Sequence, residues 1–332
     1  MLNIPKLPDI ATLSISSISD YHSYEFPGKD AQKEAVLDLL DQQGFIPDDI
    51  IEQEVEWFYA ALGIDDLFFS RETPDMIANI IHTLYASKVE SFAKSKISDG
   101  NSFYIRNKIV TDNHSVFLET GNSLDPEIDD SFLDSSKYYR LVSYVAENSL
   151  KLTFIYENTF PQISSKVSNE QLCLGDIDSI SDITMSQVTS VENKKLYCLL
   201  MKQVAEREGP VIKTISSVAD QDEVRIVVGF KRGTTKRYYT ALSSLFHYYH
   251  LKPSKIYLET FSNDVAIYSV YLHQSAQPED VMHNLPMSIL QVEREASLLY
   301  ALPNNFFQDL YQQRFFSPQE AVYSHVASIF IN

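Results

Sequence analysis

The chain has 332 residues, with 27 lysine and arginine residues against 45 aspartate and glutamate residues, so its formal net charge is −18. Hydrophobic residues make up 44% of the chain and aromatic residues 12%, a composition typical of globular proteins that excludes disorder over most of the length. The acidity argues against nucleic acid or an anionic membrane surface as a main partner, because both would repel the chain.

Targeting features and cysteine usage bear on the compartment. The first thirty residues lack the apolar core of a signal peptide, and they contain no arginine, which a transit peptide would carry. No apolar run approaches the roughly 18 residues that span a bilayer, so we expect no membrane partner. Cys173 and Cys198 are too few for a disulfide framework. We therefore expect an intracellular protein, in the cytoplasm first, with the mitochondrion left open.

Helix signals follow a flexible tail, which the serine, aspartate and proline content predicts for residues 1–30. Pro47 stands where a first helical residue is expected, and Gly63 comes directly after the end of an apolar helical period. Thr73 is placed to cap the next helix. Together with the spacing of the apolar residues, these boundaries predict a helical segment over residues 31–98.

Strand signals begin after the helical segment. Residues 99–160 contain four short runs of β-branched and aromatic residues separated by turn residues: "SFYIRNKIV", "SVFLET", "RLVSYVAE" and "KLTFIYE". They predict a β-rich unit with antiparallel strands. Residues 161–191 are polar without a clear period and indicate a connecting segment, and a helix is predicted over residues 192–207. Residues 161–222 are therefore expected to form a linker and a helix.

A second α+β unit is predicted over residues 223–301. A helix should follow its first strand, and another helix should lie near residues 286–301. The strands are expected near residues 224–230, 255–261 and 265–272. This order is the start of a ferredoxin-like split βαβ arrangement, for which no fourth strand is evident. Residues 302–332 predict the start of a further helical region that is cut within the helix.

Motifs of catalysis and cofactor binding are absent from the sequence. The nine glycines include no G-x-G pair, which a dinucleotide-binding turn needs, and no Walker loop is present. No set of serine, histidine and aspartate marks a nucleophile. His247 and His250 share one helix face, but no nearby cysteine or acidic residue completes a metal site. We therefore predict no catalytic residue, no bound cofactor and no metal site in this chain.

One cluster of cations stands out in this acidic chain. The stretch "FKRGTTKRYYTALSSLFHYYH", residues 230–250, is typical of a strand end, a turn and a helix, and the turn could hold an anion at the helix start. Alternatively, the cations contact the chain's own acidic segments or a neighbouring subunit. The residues assigned to this anion, effector or interface site, with the threonines as helix caps, are Lys231, Arg232, Thr234, Thr235, Lys236 and Arg237.

Longer stretches resemble one protein family. They are "EWFYAALGIDDLFFSRETPDMIANIIHTLYASKV" at residues 56–89, "YYRLVSYVAE" at 138–147, "REGPVI" at 207–212, and "VRIVVGFKRGTTKRYYTALSSLFHYYHLKPSKIYLETFSNDVAIYSVYL" at 224–272. These stretches resemble the non-catalytic N-terminal part of the large fungal NAD-specific glutamate dehydrogenases, and the last resembles that family's ACT-like regulatory segment. The final "SPQEAVYSHVASIFIN" is similar to the start of the helical region that follows it.

The resemblance implies an α+β fold, in which a helical N-terminal segment precedes two ACT-like or ferredoxin-like units with antiparallel sheets. It implies a parent enzyme that oxidatively deaminates glutamate to 2-oxoglutarate and ammonia with NAD, as a homo-oligomer. The chain would then be a regulatory and oligomerisation region, joined to the catalytic part and open to a small anionic effector. The alternative is a stand-alone small-ligand sensor or interaction adaptor without catalytic activity.

Overall fold

The structure, a computed structural model, describes residues 24–97, 105–111, 114–146, 150–161, 176–207, 209–216 and 222–301. The tail predicted for residues 1–30 lies mostly outside these ranges, and residues 302–332 lie wholly outside them. The helices are α1 Lys29–Gln43, α2 Asp48–Glu56, α3 Asp66–Arg71, α4 Pro74–Ile97, α5 Asp125–Ile128, α6 Ile177–Ile180, α7 Ile183–Val188, α8 Val191–Ala205, α9 Tyr238–Tyr248, α10 Glu279–Met282 and α11 Leu285–Ala301. Two five-residue π-helical stretches, called π turns below, continue helices of this list. Trp57–Ala61 follows α2, and Asp129–Leu133 follows α5.

A helical segment precedes the sheet, as the sequence predicts. α2 begins one residue after Pro47, and Gly63, with φ at 63°, follows the π turn that continues this helix. At the start of α4 the N–H of Met76 donates to the Thr73 hydroxyl at 3.3 Å. The boundaries expected from these three residues are therefore confirmed to within one residue.

The strands form one antiparallel sheet. They are β1 Arg106–Val110, β2 His114–Thr120, β3 Tyr139–Val145, β4 Leu150–Glu157, β5 Val211–Ser216, β6 Glu223–Lys231, β7 Lys255–Thr260 and β8 Val265–His273. Their order across the sheet is β1-β2-β4-β3-β7-β8-β6-β5, and every neighbouring pair is antiparallel. The four strands predicted over residues 99–160 and the three predicted after residue 223 are confirmed.

The strand order shows two units with the same connectivity. In each unit two strands, a helical crossover and two more strands follow one another, and the fourth strand lies between the second and the third. The units meet at an antiparallel seam between β3 and β7, where Leu141 lies opposite Leu258. The sequence predicts two sheets, whereas the structure has one, because the edge strands β3 and β7 satisfy each other's backbone groups.

The fourth strand of the second unit comes before the other three in sequence. It is β5, which pairs with β6 and places Val211 opposite Gly229. This strand lies within residues 161–222, where the sequence indicates a linker and a helix. The run around Val211 and Ile215, both buried, is the strand signal that the sequence offers. Because β8 lies between the parallel strands β6 and β7, the unit has the split βαβ order.

Both faces of the sheet are covered by helices. One core joins Phe154 and Tyr257 to the helical segment and to α8. The other core joins Ile226 and Leu258 to α9 and α11. The sheet is therefore the middle of three layers, and the predicted α+β class is confirmed. None of the described helices combines the length and the apolar character that crossing a membrane requires.

Candidate functional site

The predicted cationic turn lies between β6 and α9. Lys231 is the last residue of β6, and Gly233 turns the chain with φ at 73°. Arg237 also has a positive φ, 53°, and directly precedes the first helical residue, Tyr238. The structure therefore places the turn at a helix start, as the sequence predicts.

Carboxylates of the first unit cap this helix. The N–H of Thr240 donates to Asp129 Oδ2 at 2.8 Å, and the N–H of Arg237 donates to Asp134 Oδ2 at 2.8 Å. Both aspartates belong to the π turn that continues α5 or to the residue after it. Two of the N–H groups that an anion would use at the helix start are therefore already bound to the protein's own carboxylates.

The two threonines assigned as caps do not cap the helix. Thr235 is buried and donates its hydroxyl to the carbonyl of Tyr300 at 2.8 Å, and Thr234 is exposed. The threonine-cap prediction is wrong for a geometric reason: the helix begins at Tyr238, beyond the reach of a cap at either position.

The two arginines of the turn contact the first unit. Arg237 binds Asp130 through both ends of its guanidinium, at 2.8 and 2.7 Å. Arg232 donates to the Lys137 carbonyl at 2.6 Å, and its guanidinium lies 4.3 Å from the centre of the Tyr138 ring. The structure thus joins the cationic turn to an acidic segment of the same chain, which is one of the two alternatives that the sequence left open. The turn also has three exposed residues, Lys231, Thr234 and Lys236.

The capping carboxylates have shifted pKa values. Burial raises the pKa of Asp129 well above its usual range, although the hydrogen bonds from Thr240 oppose this shift. Burial also raises the pKa of Asp134. A further anion at this helix start would add like charge next to these carboxylates. Binding of an effector or a second chain by this turn stays a prediction.

A buried ion group that the sequence did not predict lies in the first unit. Lys151 Nζ lies 2.5 Å from Asp125 Oδ1 and 3.1 Å from Glu119 Oε1, and the three side chains are 4%, 0% and 1% exposed. Burial lowers the pKa of Lys151, but the two carboxylates outweigh it and raise the pKa overall. Burial raises the pKa of Glu119. The only signal in the sequence is a lysine inside an apolar strand, "LKLTFIYE".

The far end of α9 borders a cleft of about 630 Å³. The cleft is lined by residues 61–63 of the helical segment, by residues 121–122 and 145–146 of the first unit, and by residues 251–256 of the second unit. His247 also lines the cleft, and His250, its predicted neighbour on the helix face, is exposed with φ at 55°. Within the described ranges no three histidine, cysteine, aspartate or glutamate side chains come together as metal ligands. The sequence missed this site because its lining comes from distant segments.

Family models match nearly the whole described part of the chain. Residues 94–313 match the second domain of NAD-specific glutamate dehydrogenase, and residues 26–90 match the N-terminal domain of NAD-dependent glutamate dehydrogenase. The chain belongs to the NAD-specific glutamate dehydrogenase family. The family resemblance seen in the sequence is thereby confirmed.

Individual relatives of this family give the extent of the match. The NAD-specific glutamate dehydrogenase of Saccharomyces cerevisiae is 54% identical over all of this chain and 36% of its own length. The protein of the same name from Neurospora crassa is 30% identical over 95% of this chain and 31% of its own length. Glutamate dehydrogenase 2 of Dictyostelium discoideum is 27% identical over 88% of this chain and 32% of its own length. The chain therefore spans about a third of the length of these relatives.

Proposed function

We propose that this chain is the N-terminal regulatory and oligomerisation region of an NAD-specific glutamate dehydrogenase. The observation that carries the proposal is the 54% identity over the whole chain to a protein of that name, of which the match spans 36%. The full-length protein would oxidatively deaminate glutamate to 2-oxoglutarate and ammonia, with NAD bound outside this chain. The sequence agrees with that division, because it carries no dinucleotide-binding turn. Two cysteines in 332 residues favour an intracellular compartment.

An ACT-like character of the two units is part of the proposal. The split βαβ order of the second unit, with α9 and α11 packed on one face of its sheet, supports it. The β3–β7 seam supports it too, since ACT-type modules commonly pair their sheets side by side and bind small effectors at such junctions.

Three surface features support assembly with other chains. β1 and β5 are the outer strands of the sheet, and no further strand pairs with them among the described residues. Val89 and Phe92 of α4 are 48% and 58% exposed, which adds apolar surface on the helical segment. The exposed Lys231 and Lys236 of the cationic turn would complement an acidic surface of a second copy.

Sedimentation and an activity assay test the proposal together. The purified chain should form at least dimers in the ten-micromolar range, as a modest interface would allow, and should reduce no NAD with glutamate. Lys231→Glu with Lys236→Glu should weaken the dimers, more at low salt than at high salt. Monomers throughout the concentration range would remove the oligomerisation role. Glutamate-dependent NAD reduction by the chain alone would overturn the assignment as a non-catalytic region.

The reading frame beyond Asn332 separates this proposal from a stand-alone sensor or adaptor. A frame that continues with glycine-rich nucleotide-binding motifs supports the enzyme region. A stop codon directly after Asn332 would favour the stand-alone protein.

A further inference from the structure

The cleft at the C-terminal end of α9 lies where three parts of the chain meet. Its volume of about 630 Å³ falls within the range of roughly 300–1,000 Å³ that small-molecule sites occupy. The helical segment contributes residues 61–63, the first unit residues 121–122 and 145–146, and the second unit residues 251–256. A ligand in this cleft would contact all three parts at once.

The described lining of the cleft carries basic side chains and no carboxylate, although the chain is acidic. None of its described lining residues is aspartate or glutamate, whereas the chain contains 45 of these residues. Lys252, Lys255, His247 and His273 all line it. Lys255 Nζ lies 3.5 Å from Asp65 Oδ1, so its charge is partly balanced. Lys252 is exposed and has no ion-pair partner within the described part of the chain.

The backbone of Lys252 is held in place from within the protein. Its N–H donates to Gln277 Oε1 at 2.8 Å, and its carbonyl accepts from Gln277 Nε2 at 3.0 Å. Gln277 itself is only 6% exposed. The charged side chain therefore extends from a fixed position, which lowers the entropy lost when it binds a ligand.

The floor of the cleft carries buried polar groups. Lys151, 3% exposed, donates to Asn122 Oδ1 at 3.1 Å, and both residues line the cleft. Tyr268 also lines it and is fully buried, yet its hydroxyl has no hydrogen-bond partner among the described residues. A buried hydroxyl without a partner lowers stability, so this group needs a partner of its own. An anion that enters the cleft would accept a hydrogen bond from this hydroxyl.

The pseudo-symmetry of the two units provides an internal comparison. The turn of residues 121–124 after β2 corresponds to the turn of residues 232–237 after β6. The latter receives Asp129 and Asp134 from the end of the first unit's crossover. The former faces the end of the second unit's crossover, α9 and the residues after it, which bring histidine and lysine instead of aspartate. At the 121–124 turn the carboxylates come instead from the same unit, because Glu119 Oε2 accepts from the N–H of Leu124 at 2.8 Å, and Glu119 and Asp125 both pair with Lys151. The described lining residues from the second unit include no carboxylate.

We propose that this cleft binds a small organic anion bearing a carboxylate or phosphate group, with Lys252 as its main charged contact. The hydroxyl of Tyr268 donates to the ligand from the floor, and Lys255 adds positive charge at the rim. A ligand so placed links the helical segment to both units across the β3–β7 seam. Its use as an effector rests on the proposed regulatory function, whereas its binding does not.

Calorimetric titration of the whole chain tests this site. Inorganic phosphate and glutarate are titrated separately at constant ionic strength, so that the two arms show which anionic group the cleft accepts. We expect saturable binding of at least one of them. Lys252→Gln should weaken that binding by about tenfold or more, because a hydrogen bond to a charged group is lost. Tyr268→Phe, which removes only the hydroxyl, should weaken it by a smaller factor.

Lys195→Gln is the matched control, since Lys195 is an exposed lysine of α8 that does not line the cleft. It should leave the affinity unchanged, and thermal unfolding without ligand should be the same for both lysine variants. No saturable binding of either anion overturns the proposal, and so does equal affinity of the Lys252→Gln and Lys195→Gln proteins. The titration reports binding alone, so it can fail while sedimentation still supports the assembly role, and the reverse also holds.

Discussion

The two ends of α9 handle charge in opposite ways. At its N-terminal end Arg237 pairs with Asp130, and the N–H of Thr240 is bound by Asp129, so each of these groups meets a carboxylate of the first unit. At its C-terminal end Lys252 borders a cleft whose described lining contains no carboxylate. The difference shows that a dense cluster of cations does not by itself make an anion site. Whether such a cluster can bind an external anion depends on whether the fold brings a carboxylate from another segment to it.

The largest effect on stability should come from the buried ion group of Lys151, Asp125 and Glu119 beneath the cleft. Lys151→Met should lower the free energy of unfolding by about 3–5 kcal/mol, because it leaves the buried carboxylates of Asp125 and Glu119 without their cation. Chemical denaturation at neutral pH measures the loss. Lys151→Met combined with Asp125→Asn should recover part of it, since one buried negative charge is then removed as well.

Lys137→Met is the matched control for that substitution. Lys137 also forms a pair, with Glu157 at 2.8 Å, but the two side chains are 60% and 51% exposed. Solvent screens exposed pairs, so this variant should unfold close to the wild type. If Lys151→Met and Lys137→Met lowered the free energy of unfolding by similar amounts, the buried ion group would contribute no more to stability than an exposed pair.

The cap at the N-terminal end should give the next largest effect. Asp129→Ala removes the acceptor for the N–H and the hydroxyl of Thr240, both buried, and should cost about 1–3 kcal/mol of unfolding free energy. Asp129→Asn keeps an oxygen acceptor at the same position and should cost less. Denaturant titration of the two variants side by side distinguishes a lost hydrogen bond from a lost charge. Equal destabilisation by both would mean that the charge, and not the acceptor, matters.

The pH dependence of stability gives a second test of the role of Asp129. Burial raises the pKa of Asp129 above its value in the unfolded chain, so the folded protein binds the proton more tightly. Its contribution is full below the unfolded pKa of about 3.9, and it is lost as the pH rises through the folded pKa. The free energy of unfolding should therefore fall with rising pH over that window, and Asp129→Asn should flatten the slope. Asp134, whose pKa burial also raises, retains its part of the slope in the variant.

The sequence predicted the parts of this fold that depend on local signals. β6, β7 and β8 follow from short runs of β-branched residues, and α9 follows from an apolar stripe that the crossover packs on the sheet. The seam between β3 and β7 could not be predicted in this way, because pairing of strands from two units depends on contacts far apart in sequence. The same limit applies to the site. Asp129 lies 111 residues before Thr240, so no residue near the cationic turn in sequence predicts the carboxylates that bind its N–H groups.

The smallest effect should come from the ion pair at the rim of that turn. Arg237 and Asp130 form a two-bond pair, but their side chains are 30% and 51% exposed, so a double-mutant cycle should give a coupling of only about 0.2–1 kcal/mol. The cycle uses Arg237→Met, Asp130→Asn and the double variant, each unfolded by denaturant at low and at high salt. The coupling should shrink at high salt, because solvent ions screen an exposed pair. A coupling several times larger and indifferent to salt would show that the rim pair, and not the buried Asp129 cap, holds the cationic turn against the first unit.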